Sequence, residues 1–295
     1  MLVLAGGSNV VVGDLGFPGR VVLLRTRGVE VLEQDQYLAT VRVAAGEPWD
    51  GFVAQMVAGG YSGVECLSGI PGSSGATPIQ NVGAYGQEVA QTIVAVRAYD
   101  RAADRVVTMS PDECGFAYRS SVFKHNDRWL VLEVDFRLAV SAESAPIRYA
   151  ELARQLGVEL GDRVPLQQAR DTVLKLRAGK GMVLDADDRD TWSVGSFFTN
   201  PVLPELPRAD MPHWPAEDGR VKIPAAWLIE QAGFHKGFTR GGGVAVSSKH
   251  TLALTNRGAG TTRALLDLAR VIRDGVRDRF GIELHPEPVL INCRL

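Results

Sequence analysis

The stretch Gly69 to Gln87, GIPGSSGATPIQNVGAYGQ, holds five glycines in nineteen residues, with Ala76 and Ala84 in neighbouring small slots. It is too rich in glycine and proline for helix or sheet, and too patterned for a linker. Glycine allows positive φ and close backbone approach, so such a run can turn a row of N–H groups toward phosphate oxygens. No Lys-Ser/Thr pair follows it and no G-x-G-x-x-G follows a strand, which excludes a P-loop and the dinucleotide fingerprint. What remains is a long anion-cradling loop of another kind. A second small-residue turn opens the chain: Gly6, Gly7, Ser8 and Asn9 stand between the β-branched runs Leu2 to Leu4 and Val10 to Val12. That pattern predicts strand, tight turn, strand, with backbone amides and a hydroxyl available at the turn. Two anion-holding turns suit a ligand with two phosphates, such as a dinucleotide. The alternative is a pair of ordinary turns, although long uncommitted loops are uncommon in compact domains.

Three further segments place reactive side chains in constrained settings. In AYRSSVFK, Ala117 to Lys124, Arg119 lies between an aromatic and two hydroxyls. Its guanidinium fork suits a carboxylate or phosphate; a surface Arg beside a core Tyr118 is the alternative. In WSVGSFFTNP, Ser196 follows Gly195 and precedes two Phe residues, a setting for a positioned proton donor or for a satisfied structural hydroxyl. It is no G-x-S-x-G elbow and no His stands nearby, so a hydrolase triad is unsupported. In LHPEPVLI, Glu287 sits between prolines that fix its backbone, either as an acid or as a capped strand start. KIPAAWLIEQAGFHKG adds Gln231 and Lys236 to a segment whose Trp227, Leu228 and Phe234 read as core. Lysine is scarce, six against 26 Arg, so Lys124, Lys180, Lys222 and Lys236 inside these segments hint that an ammonium is wanted there.

The elements that must hold these residues are read from periodicity. At 295 residues and 31.8 kDa the chain should form two domains, or one large one, with a full core. The first hundred residues read as short strands, with Arg20 to Arg25 and Tyr37 to Ala45 β-rich and an amphipathic helix over Glu47 to Gly59. Strands are expected at Thr92 to Tyr99, Arg105 to Met109 and Trp129 to Val140, and helices at Tyr149 to Leu156 and Pro165 to Ala178. Texture changes near Lys180, where Pro- and Asp-rich segments begin. Beyond it, Ile223 to Gly233 reads as a helix with Pro224 in its first turn. Thr261 to Phe280 carries the clearest helical stripe, Leu265, Leu268, Ile272 and Val276, and Val289 to Ile291 can be a last strand. The expected class is mixed α+β.

A net charge of -2 offers nothing to nucleic acid, no apolar run is long enough to span a membrane, and no signal peptide opens the chain. The cytoplasm is the default expectation. Cys66, Cys114 and Cys293 are odd in number and far apart, which reads as reduced thiols. The five histidines lack ligand spacing, so no metal site is expected and hard chemistry would need an organic cofactor.

Taken together, AGGSN, SGIPGSSGATPIQNVGAYGQE, YRSSVFK, VGSFFTNP, KIPAAWLIEQAG with KG, and HPEP resemble, in order and from end to end, the UDP-N-acetylenolpyruvoylglucosamine reductases of peptidoglycan precursor synthesis. The resemblance implies an α+β FAD-binding fold of the vanillyl-alcohol-oxidase type plus a separate C-terminal substrate domain. It places FAD on residues 1–180, with 283–295 returning to that region, and substrate on 181–282. FAD would lie against Gly6, Gly7, Ser8, Asn9, Pro71, Gly72, Ser73, Thr77, Pro78, Asn81, Gly83 and Ala84. NADPH would reduce the flavin, leave, and be replaced by the enolpyruvyl sugar nucleotide, whose methylene carbon takes the hydride. Arg119 matches the family's arginine at the substrate carboxylate, Glu287 its acidic partner and Ser196 the proton donor. Tyr85, Lys180, Asn200 and Gln231 match positions that hold the substrate or its UDP part. The resemblance further implies a monomer acting on a small sugar nucleotide, with neither nucleic acid nor membrane as partner.

The chain departs from the family pattern in three places. Relatives usually carry a strand-and-helix segment before the GGSN turn; either the start is set late, so that an upstream extension should raise flavin retention, or this protein does without those contacts. Thr199 stands where many relatives have Lys, and Pro288 where Val is common. Two rivals stay open: another flavin oxidoreductase of the same fold, and a nucleotide-sugar-binding protein without catalysis.

Overall fold

The computed structural model describes residues 1–216 and 219–295. The chain divides into two compact units, one formed by Met1–Gly7 with Gly19–Gly179 and the other by Ser8–Pro18 with Lys180–Leu295.

The first unit is built on a six-stranded antiparallel sheet. Its strands run in the order Arg105–Met109, Ile93–Asp100, Trp129–Val140, Leu38–Ala44 and Val29–Gln34, and the short strand Tyr61–Ser62 joins the far end of Trp129–Val140. Alternation puts Val41 and Val43 of one strand and Val134, Phe136 and Leu138 of its neighbour into the core. The helix Trp49–Ala58 lays Trp49, Phe52, Val53 and Met56 over them. Trp49, Phe52 and Phe136 meet with ring centroids 5.3 to 5.7 Å apart in tilted pairs, and burying each such side chain contributes about 1.5–3 kcal/mol. The helices Ala150–Leu156 and Leu166–Gly179 close a smaller core around Ile147, Leu152 and Val173. The strand Val29–Gln34 was not expected. It is an edge strand, exposed over nearly its whole length, so no buried face imprints a pattern on it. A turn in which the Asp35 carboxylate accepts from the Tyr37 and Leu38 amides, at 2.7 and 2.8 Å, folds it onto its neighbour.

In the second unit, Ser193–Ser196, Ala253–Asn256 and Val244–Val246 form an antiparallel sheet. The helix Thr262–Phe280 packs Leu268, Ile272 and Val276, all 1 % exposed or less, into its core. Thr261 caps that helix by accepting from the Ala264 amide at 3.1 Å, and Gly281 ends it at φ +69°. The predicted helix over Ile223 to Gly233 is Ala225–Gln231.

The strand, turn, strand expected at the start is present, but its two strands do not pair with each other: Leu2–Leu4 pairs in parallel with Val21–Leu23, and Val10–Val12 with Val289–Ile291. The glycine turn between them therefore carries the chain from one unit into the other. For the same reason 283–295 does not group with the first region, as the resemblance implied, but with the second unit. Its strand Val289–Ile291 finds its partner in Ser8–Pro18, and Leu284 is buried in the second core. Among the described residues no helix is long and apolar enough to cross a membrane, and no cluster of His, Cys, Asp or Glu is arranged to hold a metal.

Candidate functional site

In the first unit the glycine loop is anchored at both ends by acids, the half-buried Asp50 and the buried Glu65. At its start the Gly69 amide donates to Asp50 at 2.6 Å, and Asp50 also takes a two-pronged Arg170 fork at 2.7 and 2.9 Å. Burial raises the Asp50 pKa, but the Arg170 fork and the Gly69 amide outweigh it, and the net shift is downward. At its end Gln87 bridges the Cys66 amide (2.8 Å) and the Glu65 carboxylate (3.1 Å). Glu65 is wholly buried and also accepts from the amides of Gly63 and Ala145, each at 2.6 Å. The middle is laced to the segment before the first helix. Ser74 donates to the Glu47 carbonyl at 2.8 Å, Gly75 to that of Ala45 at 2.9 Å, and Trp49 to that of Gly72 at 3.0 Å. A Cβ on Gly75 would lie 2.3 Å from the Ala45 methyl, so this glycine serves the seating of the loop.

What the loop offers a ligand is concentrated near Gly72 and Ser73. Gly72 has φ +110° and Gly7 φ +68°, and a Cβ on Gly6 would meet Gly72 Cα at 3.3 Å. The first unit thus brings the Gly6–Gly7 end of one predicted anion turn against the other. The Ser73 hydroxyl is sealed from water and has no hydrogen-bond partner among the described residues. Leaving such a group unmet costs about 1–3 kcal/mol, a demand that a pyrophosphate oxygen would satisfy. The residues present therefore fit the FAD expected of them.

Other predicted cradle residues are committed to the loop itself. The Thr77 hydroxyl donates to the Ser74 carbonyl at 2.7 Å. Pro78 is buried and has no N–H, whereas Pro71 is exposed. Gly83 and Ala84 pair with Glu88 and Gln87 in a short hairpin. The Asn81 side chain donates to Glu88 at 2.8 Å and to the Ala117 carbonyl at 3.2 Å, and accepts from the Ala90 amide at 3.1 Å. Asn81 organises the loop rather than presenting its amide to a ligand. Ser8 and Asn9 are half-buried at the start of the second unit, where the Asn9 carbonyl accepts from the Val289 amide at 3.0 Å.

Arg119 sits at the tip of a tight turn in which Ala117 and Ser120 exchange both backbone hydrogen bonds at 3.1 Å. Its φ of +53° is left-handed, a conformation that costs a non-glycine residue about 1–3 kcal/mol. The Lys124 ammonium steadies the turn by donating to the Arg119 carbonyl at 2.9 Å. The guanidinium donates through Nη2 to the Gly83 carbonyl at 2.7 Å and through Nη1 to that of Asn81 at 3.3 Å. YRSSVFK and the glycine loop, far apart in sequence, thus form one construction.

Tyr85, with φ +48°, packs edge-on against Tyr149 at 5.4 Å, and burial pushes its phenol up to about 12. Arg177, which the motifs did not single out, shares this corner. Its side chain lies 3.4 Å from where a Cβ on Gly69 would be. Burial lowers its pKa, with the charges of Tyr85 and Asp50 acting the other way. An Arg in the last turn of a charged helix looks in sequence like ordinary helix chemistry, so nothing marked it.

In the second unit Ser196 and Glu287 are drawn together. Ser193 faces Thr255 and Ser196 faces Ala253, so the strand carries one residue more than its partner. Gly195 takes up that bulge at φ +80°, and bulges re-aim the side chain that follows them. Phe197 and Phe198, at 0 % and 1 % exposure, fix the strand beyond. The HPEP segment docks on it: Phe198 bridges Pro286, Thr199 donates to the His285 carbonyl at 3.1 Å, and the Glu287 amide donates to the Phe197 carbonyl at 2.9 Å. The carboxylate residue is thereby seated one position from Ser196, whose half-buried hydroxyl has no hydrogen-bond partner among the described residues.

Asn200 and Gln231 stand at opposite ends of the helix Ala225–Gln231. Asn200 accepts from the Ala225 amide at 2.9 Å, and the exposed Gln231 is the last helical residue, about 10 Å along the axis at 1.5 Å per residue. Lys180 opens the unit, and the glycine after it, φ +66°, packs on Asp190. Asp190 is a hub, accepting from the Ser248 amide and hydroxyl at 2.8 and 2.6 Å and from Arg257 at 2.9 Å. Burial raises its pKa, but these donors prevail and hold it at about 2. The neighbouring Asp188 pairs with Lys249.

Comparison with known proteins places this chain. A family model described as FAD binding domain matches residues 1–110, and one described as UDP-N-acetylenolpyruvoylglucosamine reductase, C-terminal domain, matches residues 187–291. A UDP-N-acetylenolpyruvoylglucosamine reductase of Salinispora arenicola is 62% identical over 100% of this chain and 85% of its own length. One of Thermobifida fusca is 56% identical over 100% and 86%. The crystal structure of the Thermus caldophilus reductase shares the fold, with a TM-score of 0.66 at 24% identity, covering 98% of this chain and 84% of that one. The chain belongs to the UDP-N-acetylenolpyruvoylglucosamine reductase family.

Proposed function

We propose that this chain reduces the enolpyruvyl group of UDP-N-acetylglucosamine enolpyruvate to the lactyl ether of UDP-N-acetylmuramate, with Arg119, Ser196 and Glu287 as its catalytic residues. Bound FAD, reloaded by NADPH, supplies the hydride to the methylene carbon. The protein's own task is the other half of the addition: to bear the charge left on the neighbouring carbon and its carboxylate, and to deliver a proton there. A guanidinium fork at the substrate carboxylate disperses that charge, and Glu287 acts as its acidic partner. The Ser196 hydroxyl gives its proton to the carbon. The observation that carries the reading is the hydrogen bond from Glu287 N–H to the Phe197 carbonyl, which docks the Glu287 backbone on the strand that carries Ser196, one residue along from it.

Gly6, Gly7, Gly72 and Ser73 would hold the FAD pyrophosphate on the first unit. Ser8 and Asn9, which open the second unit beside Gly7, are read as further FAD contacts. Lys180, Asn200 and Gln231 of the second unit, with Tyr85 of the first, are read as contacts to the sugar nucleotide. The enzyme is read as a cytoplasmic monomer. The test is direct: purified protein should be yellow and should oxidise NADPH only when the enolpyruvyl sugar nucleotide is added. A yellow protein that ignores this substrate and oxidises another alcohol or enol would indicate a different flavin enzyme. A colourless protein that binds the nucleotide would indicate a binding protein.

A further inference from the structure

We propose that Glu88 is a positioning residue for Arg119, acting through Asn81; the inference rests on the reading that Arg119 grips the substrate carboxylate. Glu88 faces Gly83 across the short hairpin, and its carboxylate holds two things at once. One oxygen accepts from the Asn81 side-chain amide at 2.8 Å, and the other lies 4.0 Å from Arg119 Nη1. The two carbonyls that take the guanidinium, those of Asn81 and Gly83, flank Val82 on the same stretch of loop. Their aim depends on Asn81, a non-glycine residue at φ +44°. A β-region relaxation at Asn81 would swing both acceptors away, and the bonds made by its side chain oppose it. The fit leaves no slack, because a Cβ on Gly83 would meet Glu88 Cγ at 2.7 Å and Arg119 Nη1 at 3.0 Å. Carboxylate, amide and two carbonyls therefore set the plane of the guanidinium before substrate arrives, which is what a bidentate grip on a carboxylate requires.

Glu88 also caps the short helical turn Val89–Gln91, in a reciprocal pair with Gln91. A purely structural role would loosen the loop and act on flavin binding and on both half-reactions alike. The positioning role acts on one half only. In Glu88→Ala, oxidation of the reduced enzyme by the enolpyruvyl substrate should slow about 10²-fold, the cost of misplacing a group by roughly 1 Å. Its KM should rise, while flavin content and reduction by NADPH stay near wild type. Glu88→Asp keeps the charge but withdraws it by one methylene, and should slow the same half-reaction about tenfold; it stands in if the alanine variant fails to fold. In the double variant Glu88→Ala with Arg119→Ala, the loss should equal that of Arg119→Ala alone, since residues acting as a unit are not additive. Multiplying losses, equal slowing of both half-reactions, or a Glu88→Asp variant at wild-type rate would each overturn the proposal. If Arg119→Ala itself leaves the substrate half-reaction intact, the underlying role of Arg119 fails and the proposal falls with it, a result distinct from the other three.

Discussion

Replacing Ser196 by alanine separates proton delivery from everything else the protein does. The hydroxyl is half-buried after the Gly195 bulge and has no hydrogen-bond partner among the described residues, so its removal orphans no other group. The strand beyond it is fixed by Phe197 and Phe198 and by the HPEP segment, none of which needs the Ser196 oxygen. Stability should therefore change by no more than about 0.5 kcal/mol, which for a chain of this size is about 1–2 °C in Tm. Loss of a positioned acid, by contrast, costs ~10²–10⁴-fold in rate, or about 2.7–5.4 kcal/mol of barrier at 1.36 kcal/mol per tenfold. The two magnitudes differ enough to be told apart in one set of experiments. Rapid mixing with NADPH under anaerobic conditions times flavin reduction, which should be nearly unchanged. A second mix with the enolpyruvyl sugar nucleotide times reoxidation, which should slow by at least the lower figure. Reoxidation at the wild-type rate would remove Ser196 from the mechanism, and equal slowing of both phases would mean that the cofactor, not the proton, had been disturbed.

Gly72→Val tests the pyrophosphate cradle. Gly72 adopts φ +110° directly against Gly6, a conformation strained for any side chain, so the variant should emerge with much less flavin after gel filtration at some cost in Tm; flavin loss with the far-UV circular dichroism of wild type supports the cradle, and full flavin occupancy would refute it at that residue. Asp190→Asn tests the hub behind the Ser193–Ser196 strand through its pH dependence. The folded pKa, about 2, lies below an aspartate's ordinary value, so the carboxylate stabilises the fold above the unfolded value and loses that contribution as pH falls through the folded one. The Tm gap between wild type and variant should be flat from neutral pH to about 5 and close between about 4 and 2; a gap independent of pH would show that the charge of Asp190 does not matter.

Much of this protein was legible in the amino-acid sequence because the relevant physics is local. Glycine and proline density marks Gly69 to Gln87 as a loop whatever surrounds it. The stripe through Leu268, Ile272 and Val276 needs only the 3.6-residue period to be read as a helix. The order of motifs was enough to name the family, the cofactor and the reaction. Tertiary structure decided what depends on neighbours distant in the chain. Asp50 reaches Arg170 across 120 residues, Glu65 reaches Ala145 across 80, and no periodicity announces which carboxylate will anchor a loop. Gly72 and Gly75 look alike in sequence, yet one has φ +110° beside Gly6 and the other is required by the Ala45 methyl. Asn81, taken from its motif as a ligand contact, is spent on Glu88, Ala117 and Ala90. Val10–Val12, close to Leu2–Leu4 in sequence, pairs instead with Val289–Ile291. Side-chain type and spacing determine which local conformations and which chemistry are available; which neighbour takes up each hydrogen bond is settled only when segments remote in sequence pack and exclude water.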